Sequence, residues 1–476
     1  MLFSSIPFLF YFLPIVVALY FLMPNIRWKN IVLMLASLFF YFWGEPIYTL
    51  LMLFTITSGF VHGLFIEKFS NHVEGEKRQT KKSKAFMLSS VIISLALLGV
   101  FKYTDFFIET INGVFNAGLD PLRLALPIGI SFYTFQTLSY TIDLYRGNAK
   151  MQKSYVNFAT YVALFPQLIA GPIVRYTTIA DQLDNREHKL EYVSKGTSRF
   201  IIGLAKKVLI ANLLGELCSV FRASSDKSVL FYWLYVISYS LHLYFDFSGY
   251  SDMAIGLGKI FGFDFLENFN YPFISRSATD FWRRWHISLG TWFRDYVYIP
   301  MGGSRVPMWR WIINIAVVWF LTGFWHGAGW TFIAWGLMFG FLLVIEKLFL
   351  NKLLDKLPRF VSHIYTLLMV LISFALFDAT NISSAFGVIG GMFGIGTPLV
   401  SQSALYYLGS YSLILIMAII GATPLPKMIV TKVIGSGEKA KSVMNVLEIV
   451  YIFVLFILIV AYLIDGSFNP FLYFRF

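Results

Sequence analysis

Apolar positions in this chain come in long runs with short polar breaks, and the runs approach the roughly 20 residues a helix needs to cross a hydrocarbon layer. Runs at 6–23, 31–43, 47–66, 85–103, 127–145, 199–221, 229–257, 308–326, 328–350, 360–377, 404–422 and 446–464 predict a helix each. The 31–43 run is short and is expected to extend into its flanks. Two apolar segments break the pattern. Residues 157–175, NFATYVALFPQLIAGPIVR, contain Pro166 and Gly171-Pro172, which a straight helix does not tolerate. A re-entrant hairpin is predicted there, its freed backbone groups satisfied by protein or water. Residues 280–300, DFWRRWHISLGTWFRDYVYIP, mix Arg and Asp with Trp, Phe and Tyr, a pattern suited to the interface or to a cavity rather than to lipid.

Composition agrees with a polytopic all-α membrane protein built as a single domain over 1–476. Hydrophobic residues make up 57% and charged residues 13%, with mean hydropathy +0.68, too apolar for a soluble chain. The first run lacks a basic leader and a small-residue cleavage pattern, so it is expected to stay as a helix. The net charge of +12 does not imply nucleic acid, because the cations sit in loops between apolar runs. Every second loop is basic. Arg27 and Lys29 follow the first run, Lys68 to Lys84 the third, Arg146 to Lys153 the fifth. Lys259 to Arg284 follow the seventh, Lys347 to Arg359 the ninth and Lys427 to Lys441 the eleventh. The alternate loops, such as 44–46 and 378–402, carry no cation, and only Arg123, Arg222, Lys227 and Arg475 are scattered near that side. Under the positive-inside rule the basic loops are cytoplasmic and both termini extracytoplasmic, with an even number of crossings.

The ionisable groups inside apolar surroundings are the candidates for chemistry. His326 stands in the middle of WFLTGFWHGAGW, residues 319–330. A neutral imidazole is a common general base, whereas the bland alternative is a hydrogen-bonded core histidine. Gly323, Gly327 and Gly329 lack bulk, so another helix or a ligand can approach, and Trp325 and Trp330 could wall a passage. From His242 the chain reads HLYFDFSGYSDMAIGLGKIFGF, placing His242, Asp246, Ser248, Ser251 and Asp252 in or beside an apolar run. On a helix His242 and Asp246 share a face and could bond. They read either as a polar lock between helices or as the lining of a hydrophilic cavity. His286, flanked by Arg283, Arg284 and Arg294, is either an interfacial histidine or a second active-site group beside arginines that attract phosphates. His62, His72, His188 and His363 read as bystanders at span ends and loops. A lone cysteine, Cys218, offers no disulfide and no thiol route, and neither paired Cys nor an HExxH pattern marks a metal site.

Several long strings together resemble the membrane-bound O-acyltransferase superfamily, in its bacterial alginate O-acetyltransferase-like branch. They are FPQLIAGPIVRY (165–176), YFDFSGYSDMAIGLGKIFGF (244–263) and ENFNYPFISRSATDFWRRWHISLGTWFRDYVYIPMGGSR (267–305), then FLTGFWHGAGW (320–330) and NPFLYFRF (469–476). Relatives that transfer D-alanine share the NFN and WH motifs; the FSGYSDMAIGLGKIFGF and GGSR strings favour the acetyltransferase branch. The resemblance implies a ring of about 11–12 tilted helices with re-entrant segments around a funnel that reaches the catalytic histidine. It maps the essential catalytic histidine onto His326 and a second implicated histidine onto His286. Asp246, Ser248, Trp325, Arg283 and Arg284 are then expected to line the substrate path.

The reaction implied is transfer of an acetyl group from cytoplasmic acetyl-CoA to a hydroxyl, with no bound cofactor or metal and with His326 as general base. His286, Ser248 or amides beside Gly327 are the candidate donors to the oxyanion. An extracytoplasmic SGNH-hydrolase-like protein would pass the group to a polysaccharide, alginate-like, peptidoglycan or another glycan, at the bacterial inner membrane. Two other classes remain. A transporter of polysaccharide or lipid-linked sugar predicts internal repeats, and none is visible; an export scaffold predicts that His326 is dispensable.

Overall fold

The computed structural model describes residues 2–73 and 76–465. The closing string 469–476, with Arg475, lies outside the described residues, as does the side chain of His72. Every apolar run predicted above is helical. Seven described helices are long and apolar enough to cross a membrane by length and composition. These are Tyr48–Lys68, Lys81–Phe115, Met308–His326, Trp330–Leu354, Arg359–Asp378, Gln402–Gly421 and Glu438–Ile464.

That count is lower than the number of apolar runs, and the shortfall has physical causes. Phe8–Leu22 is apolar but short. Ile26–Gly44 extends the 31–43 run backwards through Lys29 to an N-cap at Asn25, whose side chain accepts from the Trp28 amide at 3.2 Å. Ile130–Arg146 is rich in Ser, Thr and Tyr and is buried along almost its whole length, so its surroundings are protein rather than lipid. The charged 67–84 loop contains a small antiparallel ladder, Asn71–Val73 against Glu76–Arg78, the one strand pairing among the described residues. It ends at Thr80 and Ser83, which form a capping box for Lys81–Phe115.

The chain divides into two compact units, Met1–Phe200 with Met253–Leu266, and Ile201–Asp252 with Glu267–Phe476. In the first, Tyr48–Lys68 packs on Ile130–Arg146 through Gly59 and Gly63. A Cβ at Gly59 would stand 2.6 Å from Thr137 Cγ2, and one at Gly63 2.6 Å from the Tyr140 hydroxyl. The proline-broken segment folds here as helix Tyr155–Ala163, a turn over Phe165–Leu168 and irregular chain to Arg175. It is buried in protein, and its backbone finds partners: the Phe165 amide donates to Ser37 Oγ at 3.0 Å, and Gln167 Nε2 to the Tyr161 carbonyl at 2.6 Å.

The second unit is organised by an antiparallel helix pair, Met308–His326 and Trp330–Ile345. A Cβ at Gly323 would lie 2.3 Å from the Phe332 carbonyl, and one at Gly336 2.3 Å from the Trp319 carbonyl. Only glycine permits backbones that close. Around this pair lies an aromatic core that includes Phe281, Trp285, Trp319, Trp335, Phe339 and Phe374. The mixed 280–300 segment does not span. It forms two short helices, Ala278–Arg284 and Ile287–Phe293, hinged at His286.

Candidate active site

His326 is the last residue of Met308–His326, set just before the extended backbone at Gly327 that turns the chain into the next helix. The residue is buried, with 6% of its surface exposed. Ring centroids of Trp325 and Trp335 lie 5.1 Å away and Phe377 5.5 Å away, all near edge-on. His286 completes the surround at 6.3 Å. Two histidines far apart in the chain are therefore neighbours.

His286 is held by its own strained backbone and by one asparagine. With φ 46° it occupies the left-handed region, unusual for a residue with a Cβ, and this bend aims the segment back into the core. Asn268 Oδ1 accepts from Ser288 Oγ at 2.8 Å and the Ser288 amide at 3.1 Å, and lies 3.3 Å from His286 Nδ1. The Ile287 amide donates to the Asn268 carbonyl at 3.0 Å. Phe247 packs edge-on at 4.7 Å. Burial holds the pKa of His286 well below the ordinary imidazole range, and the adjacent His326 pushes it the same way. A neutral ring results.

The helix leading into His286 is anchored at its start by Glu346, a buried carboxylate. Glu346 accepts from the amides of Ala278 at 2.6 Å and Thr279 at 2.9 Å, from Thr279 Oγ1 at 2.7 Å and from the Tyr365 hydroxyl at 3.2 Å. Its four donors and its place at a helix N-terminus compensate a charge that burial would otherwise penalise. His363 adds a second tie, its Nδ1 3.0 Å from the Ser275 carbonyl. It thus has a structural partner.

The other expected residues divide between the site and its supports. Trp325 touches both histidines, 5.9 Å from His286. Ser248 is buried, and its hydroxyl has no hydrogen-bond partner among the described residues. Asp246 forms a buried 2.6 Å ion pair with Lys207, and Asp252 a 2.6 Å pair with Lys206, both lysines lying on the π-helical turn Lys206–Ala211. The possible bond between His242 and Asp246 is not made: His242 Nδ1 lies 2.6 Å from the Ala211 carbonyl, and its ring fills the space above Gly215. His242 is a lock between helices.

Arg283 and Arg284 part company. Arg284 pairs with Asp280 at 2.9 Å and donates to the Asn270 carbonyl. Arg283 instead lines a polar cavity of about 440 Å³ with Arg276, Arg359, Asp280 and Asp355. No cluster of three or more metal-ligating side chains occurs among the described residues.

Trp335 and Phe377 escaped the sequence reading. Each is an aromatic residue in an apolar run, and nothing in its spacing marks it as facing a histidine. The indole Nε1 of Trp335 is buried with no acceptor among the described residues. Asn268 had a signal, the NFN motif, but no role attached to it.

The profile of "MBOAT, membrane-bound O-acyltransferase family" matches residues 146–384, which contain both histidines. The chain is 39% identical to the probable alginate O-acetylase AlgI of Pseudomonas putida over 100% of both chains. It is 41% identical to that of Azotobacter vinelandii over 83% of this chain and 79% of the relative. Identity to the peptidoglycan O-acetyltransferase of Helicobacter pylori is 34%, covering 92% and 89%. A multi-pass helical protein with full-length likeness of this kind belongs to the membrane-bound O-acyltransferase family, in its alginate O-acetylase-like branch, and is an O-acyltransferase.

Proposed function

We propose that this enzyme moves an acetyl group from cytoplasmic acetyl-CoA to a hydroxyl on the other side of the bacterial inner membrane, with His326 as general base. The observation that carries the reading is the meeting of His326 and His286, 6.3 Å between ring centroids, inside a nearly closed aromatic shell. A neutral imidazole is the group that can take a proton from a hydroxyl.

In the reaction, His326 takes the proton of the acceptor hydroxyl as its oxygen bonds to the thioester carbonyl carbon. The tetrahedral oxyanion then collapses, the carbon–sulfur bond breaks, and the proton passes from the imidazolium to the departing CoA thiolate. Donors for the oxyanion are needed only while that charge exists. Ser248 and the Trp335 indole are the candidates, because each is a buried donor without a hydrogen-bond acceptor among the described residues. The cavity bearing Arg276, Arg283 and Arg359 suits the phosphates of the donor, since guanidinium groups bind phosphate in bidentate fashion. The relatives named for alginate and peptidoglycan modification support a cell-surface polysaccharide as final acceptor. Basic loops on one side only support an orientation with the donor site in the cytoplasm and both termini outside. An SGNH-hydrolase-like protein would then receive the group outside.

The test is acetyl transfer from radiolabelled acetyl-CoA by the full chain in proteoliposomes, supplied with oligosaccharide acceptors of alginate and peptidoglycan type. His326→Ala should lower the rate by about 10²–10⁴-fold, the usual worth of a general base, with the protein still inserted. A variant as fast as the wild type would remove His326 from the reaction.

A further inference from the structure

The N-terminal hairpin, Leu13–Leu22 followed by Ile26–Gly44, carries two features that acyl transfer does not use. The first is a cluster of cations at its turn. Lys29 Nζ lies 5.2 Å from the centre of the Tyr20 ring and 5.6 Å from that of Phe21. Arg186 is buried to 8% exposure; its Nε donates to the Tyr20 hydroxyl at 2.9 Å and the Phe261 carbonyl at 3.0 Å, and its Nη1 to the Gln182 carbonyl at 3.0 Å. Its buried Nη2 has no acceptor among the described residues. His188 Nε2 lies 2.6 Å from the same Tyr20 hydroxyl.

Among the described residues, neither Lys29 nor Arg186 is ion-paired with a carboxylate, and the nearest acid in sequence, Glu187, turns to Lys189 at 2.6 Å. Burial first, then the charges of Lys29 and Arg186, push the pKa of His188 down to about 4. Two cations and a neutral imidazole around one tyrosine make an uncompensated positive site.

The second feature is a groove of about 540 Å³ between the same two helices, lined by Ile15, Val16 and Leu19 on one and Val32, Ala36 and Phe39 on the other. Val32 is one helical turn from Lys29, so groove and cations adjoin. Trp28, 51% exposed at the turn, is a residue suited to the level of lipid headgroups.

We infer that this hairpin binds one anionic glycerophospholipid, its phosphate on Lys29, Arg186 and His188 and an acyl chain in the groove. Phosphate supplies the acceptor oxygens and negative charge that the cluster lacks. A hydrocarbon chain fills an apolar groove that offers water no partners. One molecule joins both chemistries, and the cytoplasmic leaflet, to which the basic loops are assigned, is rich in such lipids.

The full chain, purified in detergent and titrated with phosphatidylglycerol or phosphatidylcholine, tests this by native mass spectrometry. One phosphatidylglycerol should be retained per chain at concentrations where phosphatidylcholine is not. Lys29→Gln should weaken retention by roughly fivefold, the worth of one cation at a headgroup. Ala36→Trp, which fills the groove, should also displace the lipid. Lys29 is partly exposed at a helix start, so its variant reads out even if the tryptophan variant does not fold. Equal retention of both lipids, or undiminished retention by Lys29→Gln, overturns the inference. So does soluble glycerol 3-phosphate competing as well as the lipid, which would mark a free-phosphate site.

Discussion

An imidazole bounded by Trp325, Trp335, Phe377 and His286 invites changes that alter one atom and keep the shape. Trp335→Phe retains a ring beside His326 but removes the buried indole N–H. If that N–H meets the oxyanion, turnover should fall about 10²-fold or more with KM for the donor little changed. Steady-state kinetics at varied acetyl-CoA decide it, and an unchanged turnover assigns the indole to packing alone. His286 sits in the left-handed region, which asparagine tolerates better than other residues that carry a Cβ. His286→Asn should therefore keep the wild-type thermal midpoint while losing most activity; a midpoint drop in step with activity would mark His286 as structural. His326 was legible in the sequence because an ionisable group in an apolar run is costly and therefore conspicuous. Trp335 was not, since an indole in lipid-like surroundings costs little and its unmet N–H becomes visible only in three dimensions. Asp246 was conspicuous for the same reason as His326, yet its partner Lys207 lies on another helix and no local pattern links them.

At the level of elements, the helix pair Met308–His326 and Trp330–Ile345 sets the geometry, and glycines set the pair. Gly336→Leu would place side-chain atoms where the Trp319 carbonyl already stands. The helices must part, and His326 moves with them. Loss of both folded protein and activity is expected, measured by detergent thermal unfolding beside the transfer assay, whereas Gly387→Leu, at a glycine with open space around it, should be near neutral. A Gly336 variant of wild-type midpoint would show that this contact does not govern the fold. Glycines around His326 announced a close approach in the sequence, but not which helix would make it. Pro166 and Pro172 announced the broken segment, because a missing amide hydrogen is a local fact. The burial of Ile130–Arg146 was not announced: hydropathy records what a helix is made of, and its environment depends on neighbours distant in the chain.

Across the whole molecule, the orientation proposed from loop charge can be measured directly. Cys218 is buried, so single cysteines introduced at Ser436 and Thr397 would report their own surroundings. A membrane-impermeant maleimide should label the Thr397 variant in intact spheroplasts and the Ser436 variant only after lysis; the reverse pattern would invert the assignment. The described helices also differ widely in what solvates them. In Glu438–Ile464 only 6% of the most apolar window is buried by the rest of the chain, against 39% for Trp330–Leu354. Its side chains are thus specified by the bilayer's demand for greasiness and length, not by matching partners. Evolution can rewrite that helix almost letter by letter, so sequence drift among relatives should run fastest there while the glycine-paired helices stand still.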